Sequence, residues 1–482
     1  MSQSTYKQKH QKTKIVATVG PACETYDQLK HLVIAGVNVF RLNFSHGSHE
    51  DKKKIIDNIR AINKELNCSV AILGDLQGPK LRVGEIENNR LDVKVGDVLT
   101  LTNEKCIGTI EKIYVSYPNL AGDVVVGNTI MIDDGKVTVE VVEVKGNDVV
   151  TKVIHPGSVS NNKGLNLPGV AVSVPALSEK DIADLKWGLK AGADFIALSF
   201  VRNAADVKDV HRIMDEVGIR VPVIAKIEKP QAVANLEEIV DAFDGIMVAR
   251  GDLGVELPIE DVPMVQKQCI TMARESAKPV IVATQMLDSM INNSQPTRAE
   301  ATDCANAVLD GADALMLSGE TSVGEFPIES VKIMSRIIER TEEIALDQIP
   351  PLKHSPATKG GAITKAATEV GLTVGAKFLV AFTQSGDSAR RMSRLRSPIP
   401  MLALTPDVGT YNRLALSWGV ESMLTSVVNH TDEMVMQVDT ILINSKRVNL
   451  GDLVLIVAGS PPGIPGSINA MRVHKIGDAV GG

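Results

Sequence analysis

The sequence predicts an α/β protein: a (β/α)8 TIM barrel, interrupted by an inserted β domain and followed by a doubly wound α/β domain. Three observations carry this. From Lys14 onward, short β-branched runs alternate with helical stretches eight times. The runs are apolar without polar alternation, as strands buried on both faces are. The alternation breaks once, after the third run, and resumes near residue 176.

The eight strand-like runs are Ile15–Val19, Val37–Phe44, Val70–Leu76, Asp194–Phe200, Val221–Ile227, Gly245–Ala249, Val280–Thr284 and Ala314–Leu317. Helical segments follow at Asp27–Ala35, Asp51–Leu66, Glu179–Leu189, Ala204–Glu216, Gln231–Val240, Asp261–Ser276, Arg298–Leu309 and Glu329–Ile344. Ser178 stands before Glu179, an N-cap choice that satisfies orphan backbone N–H groups. These units assign residues 1–79 and 176–350 to the barrel. Between them, residues 80–175 turn rich in Val, Gly and Asp. Alternating runs at Lys136–Val144 and Asp148–Ile154, with turn dipeptides Asp134-Gly135 and Gly146-Asn147, indicate a small antiparallel β domain. After Ile349-Pro350-Pro351 comes a linker-like stretch to about Lys359. Residues 351–482 then alternate helix with runs at Phe378–Thr383, Met401–Leu404, Val420–Thr425, Leu453–Val457 and Met471–Ile476. This is too short for a second barrel and fits a doubly wound domain.

Composition narrows the function. Lys and Arg number 51 against 58 Asp and Glu, a net charge of −7, which argues against general binding to nucleic acid or anionic lipid. Aromatics are 3% of the chain, too few for base-stacking platforms. The five cysteines (Cys23, Cys68, Cys106, Cys269, Cys304) form no CxxC, so a reducing, cytoplasmic setting without zinc or disulfides is expected. Met1–Lys14 is polar and basic, with no secretory signal. The apolar run Leu453–Ala458 is a strand rather than a membrane span.

Catalytic groups of a barrel sit where strands end. The second strand presents Arg41, Asn43 and Ser45 on one face; the third offers Asp75 and the fourth Ser199. The fifth presents Lys226 and Glu228, and the sixth Arg250 and Asp252 with Gly251 between them. The seventh ends in Thr284 and Gln285, and the eighth in Ser318, Gly319 and Glu320. Singly, such residues are commonly structural ion pairs. Together, on consecutive aliphatic strands, they indicate a charged ligand. Glu228 and Asp252 are hard oxygen donors without His or Cys, which favours Mg²⁺ or Mn²⁺ over Zn²⁺. Arg41, Arg82 and Lys226 are cations suited to phosphate or carboxylate. The set suits phosphoryl transfer, and equally stabilisation of an enolate.

Ordered motifs then carry a family resemblance. Lys14–Pro21 (KIVATVGP), Arg41–Gly47 (RLNFSHG), Asp75–Arg82 (DLQGPKLR), Asn162–Pro168 (NKGLNLP) and Ala225–Glu228 (AKIE) are followed by Met247–Glu256 (MVARGDLGVE), Ala283–Leu287 (ATQML) and Pro296–Glu300 (PTRAE). Together they resemble the pyruvate kinase family. The resemblance implies transfer of the phosphoryl group of phosphoenolpyruvate to ADP, giving pyruvate and ATP. It implies that Arg41 and Lys226 contact phosphoenolpyruvate, with Glu228 and Asp252 as divalent-metal ligands. It implies that the backbone of Ala249, Arg250 and Gly251 receives the substrate carboxylate, and that Thr284 stands near the carbon that is protonated. Asn43, His46, Arg82 and Lys163 match nucleotide-side positions, and the inserted β-barrel domain carrying Lys163 closes as a lid. A homotetramer is the usual assembly.

Two departures from the family pattern stand out. Many members hold K⁺ with an Asn, a Ser, an Asp and a Thr, beside a Glu. Asn43, Ser45 and Asp75 are present, but Leu76 and Lys80 occupy the Thr and Glu positions. The Lys80 ammonium is expected to replace K⁺ and make it dispensable. Thr383, Ser385, Gly386 and Ser388 resemble the effector loop of allosteric members, where a phosphorylated effector binds. There Asp387 opposes an anion, and Arg390, Arg391, Arg394 and Arg396 either offset it or form a solvated helix face. The alternatives are a metal-dependent 2-oxo-acid aldolase or lyase, which needs neither Arg82 nor Lys163, and a non-catalytic metabolite sensor, for which Lys226 and the metal ligands are unneeded.

Overall fold

The computed structural model describes residues 11–170, 172–460, 466 and 468–478; residues 1–10, most of the polar N-terminal stretch, lie outside it. Eight parallel strands close into a barrel: Lys14–Thr18, Val39–Asn43, Ala71–Asp75, Phe195–Leu198, Val223–Ile227, Gly245–Ala249, Val280–Ala283 and Ala314–Leu317. The last pairs with the first, Lys14 opposite Ala314. Absence of polar alternation follows from burial on both faces. Val16, Val39, Leu73, Phe195, Ile224, Met247, Ile281 and Met316 fill the interior. The intervening positions, such as Ile15, Ile72, Ile196 and Val282, face the helices. The helices begin where capping residues stand. Ser178 accepts from the backbone N–H of Asp181 ahead of Glu179–Ala191, in a capping box. Thr297 does the same for Arg298–Asp310.

The structure corrects several boundaries. The second strand is Val39–Asn43, shorter than its apolar run. The helix expected over Gln231–Val240 breaks at Asn235 into Pro230–Ala234 and Leu236–Ala242. A short helix, Arg250–Glu256, directly follows the sixth strand. The expectation that Arg250 and Asp252 share a strand face is therefore overturned: on a helix, residues two apart point in different directions.

Between the third strand and its helix lies the inserted domain. Six strands form one sheet in the order Leu165–Asn166, Thr129–Ile132, Val137–Lys145, Asp148–His155, Val98–Thr102 and Lys112–Tyr114. A ribbon of Arg90–Val93 and Gly157–Ser160 and the isolated bridges Arg82–Gly164 and Val83–Val115 complete the wrap. One apolar core, from Val83 to Val170, fills it.

The C-terminal domain is a five-stranded sheet ordered Val420–Leu424, Met401–Thr405, Leu379–Phe382, Leu453–Gly459 and Ile468–Lys475. Its first four strands are parallel and the last antiparallel. It docks on the barrel face where strands begin, opposite the strand-end mouth: the Lys14 ammonium donates to the Val420 carbonyl at 2.9 Å, and Asn412 donates to Asp194 at 3.2 Å. Among the described residues no helix is long and apolar enough to cross a membrane.

Candidate active site

The charged strand ends converge at the barrel mouth. Lys226 stands one residue before the end of the fifth strand, and its ammonium is the hub. It donates to Ser199 Oγ at 2.8 Å and lies 2.8 Å from Glu228 Oε1 and 3.6 Å from Asp75 Oδ1. Asp75 also takes Arg41 Nε at 2.6 Å, and Arg41 reaches Thr18 Oγ1 at 3.1 Å. Burial works against charge on Asp75, yet Lys226 and Arg41 outweigh it and hold its carboxyl below the usual range. Burial also works against charge on Lys226, but Asp75 and Glu228 raise its pKa well above that of an ordinary lysine, so it stays cationic. Glu228 is raised, first by burial and further by Asp252, with Lys226 opposing.

In the inner set, the carboxylates of Asp75, Glu228 and Asp252 outnumber the cations Arg41 and Lys226 by one, with Lys80 on the wall of the adjoining cleft. A divalent cation bound there would attract a polyanion. The donors fit Mg²⁺. Glu228 Oε1 and Asp75 Oδ1 are buried and face only the Lys226 ammonium, at 2.8 and 3.6 Å, while Asp252 is exposed at the cleft. Among the described residues no group of three or more His, Cys, Asp or Glu is arranged to hold a metal. Two carboxylates leave most of an octahedron to substrate and water, as Mg²⁺ prefers.

The loops after the sixth and seventh strands are locked together. Thr284 and Gln285 have φ of 70° and 53°. That is a genuine outlier for β-branched threonine, costing about 1–3 kcal/mol. Arg250 holds them there: its guanidinium donates to the carbonyls of Thr284 at 2.9 Å and Gln285 at 3.2 Å and pairs with Asp303 at 2.7 Å. The side chain of Arg250 is thus committed to this turn and to Asp303. Thr284 Oγ1 accepts from the Gly251 N–H and donates to the Ala283 carbonyl, both at 2.6 Å. Ala249, at the strand end, is buried beneath this turn.

Two clefts flank the hub. One, about 1090 Å³, lies between the inserted domain and the barrel, and Lys80, Arg82, Phe200, Lys229 and Asp252 are on its walls. The other, about 1700 Å³, is lined by Thr18, Asn43, His46, Asp51, Lys52 and Ser322. The four nucleotide-side residues are therefore not on one wall. Asn43 and His46 line the second cleft and Arg82 the first, while Lys163 is held by Asp133 at 3.1 Å on the inserted domain. Lys80 lines the first cleft, where the partial burial of its ammonium, then the charges of Arg82 and Lys226, lower its pKa. Asn43 Oδ1 accepts from the Ser45 N–H at 2.9 Å, and the Leu76 carbonyl accepts from Ser199 Oγ at 2.7 Å.

The sequence reading missed three contributors. Thr18 supports Arg41, and the Phe200 N–H holds Glu228 Oε2 at 2.7 Å through an unusual φ of 55°. Glu256 accepts from Asn166 of the inserted domain at 3.1 Å and pairs with Lys229 at 2.5 Å, tying that domain to the barrel. Thr18 is visible as the one polar residue inside the run Ile15–Val19; a backbone N–H and a distant Glu–Asn pair leave no sequence signal.

In the C-terminal domain, Thr383, Ser385 and Ser388 line one cavity of about 660 Å³ with Thr425 and Ser426. Gly386 turns the chain at φ 83°, and its N–H donates to Thr383 Oγ1 at 2.9 Å. Asp387 is neutralised by Arg391 at 2.6 Å. The alternative of a solvated arginine face is overturned for Arg394 and Arg396, which are buried against the barrel because the domain docks there.

Comparison with known proteins adds to this geometry. Residues 10–331 match the pyruvate kinase barrel domain, and residues 361–474 the pyruvate kinase alpha/beta domain. A pyruvate kinase of Mycobacterium tuberculosis is 54% identical over 465 residues, 96% of this chain and 98% of its own. One from Corynebacterium glutamicum is 52% identical over 97% of this chain and 98% of its own. The crystal structure of a pyruvate kinase from Cryptosporidium parvum superposes with a TM-score of 0.90 at 36% identity, covering 97% of this chain and 96% of that one.

Proposed function

Because this chain belongs to the pyruvate kinase family, we propose that its barrel mouth transfers the phosphoryl group of phosphoenolpyruvate to ADP, releasing pyruvate and ATP. It is a phosphotransferase, as its relatives are. The observation that carries the reading is the Lys226 hub: a buried cation joined to Glu228, Asp75 and Ser199 at the strand ends.

Arg41 binds the phosphoryl group of phosphoenolpyruvate from the side of Asp75, and the backbone of Ala249, Arg250 and Gly251 takes the carboxylate. Lys226 offsets the charge that grows on the transferring phosphoryl group and on the enol oxygen. A β-phosphate oxygen of ADP attacks phosphorus in line, and the bond from phosphorus to the enol oxygen breaks. The enolate keeps the electron pair, and Lys226 stabilises it. The methylene carbon then takes a proton from the Thr284 hydroxyl or a linked water; that hydroxyl already has a donor on one side and an acceptor on the other. Glu228 and Asp252 would hold a divalent ion, which when bound would supply Lewis-acid charge to the reaction. Arg82, Lys163, His46 and Asn43 serve the nucleotide, Lys163 arriving as the inserted domain closes and excludes water.

The finer readings belong to the same proposal. Lys80 substitutes for the charge of K⁺ from the wall of the first cleft, near Asp252, whereas Asn43 lines the second. The Thr383–Ser388 loop takes a phosphorylated effector, helped by the pairing of Asp387 with Arg391. The enzyme works in the cytoplasm as a homotetramer. Titrating Mg²⁺ against pyruvate formation tests the metal assignment. Glu228→Gln and Asp252→Asn are expected to need at least about tenfold more Mg²⁺ or to lose activity; wild-type titration curves contradict it.

A further inference from the structure

Where the C-terminal domain meets the barrel, a small cavity is lined by five cations, Arg274, Lys278, Arg390, Arg394 and Arg396, and by a single carboxylate, Asp313. Arg274, Arg394 and Arg396 are 4%, 6% and 5% exposed. Asp313 is already committed: it pairs with Arg396 at 3.1 Å and accepts from the backbone N–H groups of Val280 and Trp418. Among the described residues, neither Arg274 nor Arg394 has a carboxylate within ion-pair distance. Their bonds go to the carbonyls of Pro350, Arg394 and Glu275, which orient a guanidinium without cancelling its charge. The Nε groups of all three arginines are buried and bonded to nothing.

Such an arrangement is costly. Buried charges are normally paired, and an unpaired buried N–H forfeits its hydration. Burial and the adjacent Arg396 push the Arg274 guanidinium down to about 9, far below its ordinary range. A water molecule would accept a hydrogen bond but leave the guanidinium charges of Arg274 and Arg394 without a counter-ion. The cavity has room for about one small occupant.

We propose that this joint binds a monatomic anion of chloride size, held by the Nε–H groups of Arg274, Arg394 and Arg396. The anion then stabilises the docking of the C-terminal domain on the barrel. The site lies at the opposite end of the barrel from the Lys226 hub and does not rest on the proposed reaction.

The test uses the full chain. Thermal unfolding is measured in potassium chloride and in potassium gluconate at equal ionic strength, and crystals grown without chloride are soaked in bromide. The expected result is a melting temperature a few degrees higher in chloride, saturating as one site does. Arg274→Gln should lose this dependence. One anomalous bromide peak should lie beside the three Nε atoms in the wild type. Equal melting temperatures in the two salts overturn the proposal, as does density there without anomalous signal. A peak without any effect on melting marks an adventitious ion only and also overturns it.

Discussion

Replacing Lys226 by methionine keeps the length of the side chain and removes its charge. Lys226 stands 2.8 Å from Glu228 and 3.6 Å from Asp75. With an effective dielectric constant near 20, each such pair interacts by roughly 5–6 kcal/mol before desolvation is subtracted. A transferring phosphoryl oxygen at similar range would feel a comparable field. Net losses measured for comparable preorganised groups are about 3–4 kcal/mol, or ~10²–10³ in kcat. The interaction grows as charge develops, so kcat and kcat/KM should fall together with little change in KM. Removing the cation also leaves two buried carboxylates. Asp75 keeps Arg41 and Glu228 keeps the Phe200 N–H, so the loss of stability should stay below the ~3–5 kcal/mol of a fully orphaned partner. Steady-state assays of pyruvate release should be run well below the variant's melting temperature, with circular dichroism as the folding control. A folded Lys226→Met enzyme with kcat within a few-fold of wild type refutes the assignment.

Two other predictions concern different parts of the molecule. With tetramethylammonium in place of K⁺ the enzyme should keep its activity, whereas Lys80→Glu should lose at least ~10-fold, ~1.4 kcal/mol, and regain it with K⁺; a wild-type loss that K⁺ restores would sink the substitution idea. Lys14, buried at the domain joint, has its pKa lowered to about 8, first by burial, with Glu421 and Glu342 opposing. Between pH 8 and 10.5 the unfolded chain holds more protons at this site, so its contribution to stability rises with pH in that window. Relative to Lys14→Met, the wild type should gain roughly 3 kcal/mol from pH 8 to 10.5 in denaturant unfolding; a flat difference contradicts it.

Much of this architecture was legible because burial on two faces leaves a plain signature. The eight apolar runs had to be parallel strands, and the polar residues that close them had to meet at one mouth. Arg41, Asp75, Lys226 and Glu228 do meet there. Where the reading failed, the cause was backbone geometry. Arg250 and Asp252 looked like alternate strand positions, yet the chain turns into a helix at Arg250. No side-chain pattern announces that turn, and it sends Arg250 to Asp303 instead of the mouth. Positive φ at Thr284 and Phe200 is equally silent in the sequence, since neither residue type favours it. For Arg394 and Arg396 the solvated-face alternative fails for another reason: both lie past the helix Asp387–Ser393 and are covered by the barrel, which no local pattern announces.

The central claim is that the site moves a phosphoryl group and does not simply cleave or rearrange a 2-oxo acid. The most direct measurement incubates the purified chain with phosphoenolpyruvate, Mg²⁺ and ADP, and follows pyruvate and ATP together. One ATP per pyruvate, with no pyruvate when ADP is omitted, is the predicted result. Pyruvate that forms without ADP, or without matching ATP, contradicts it.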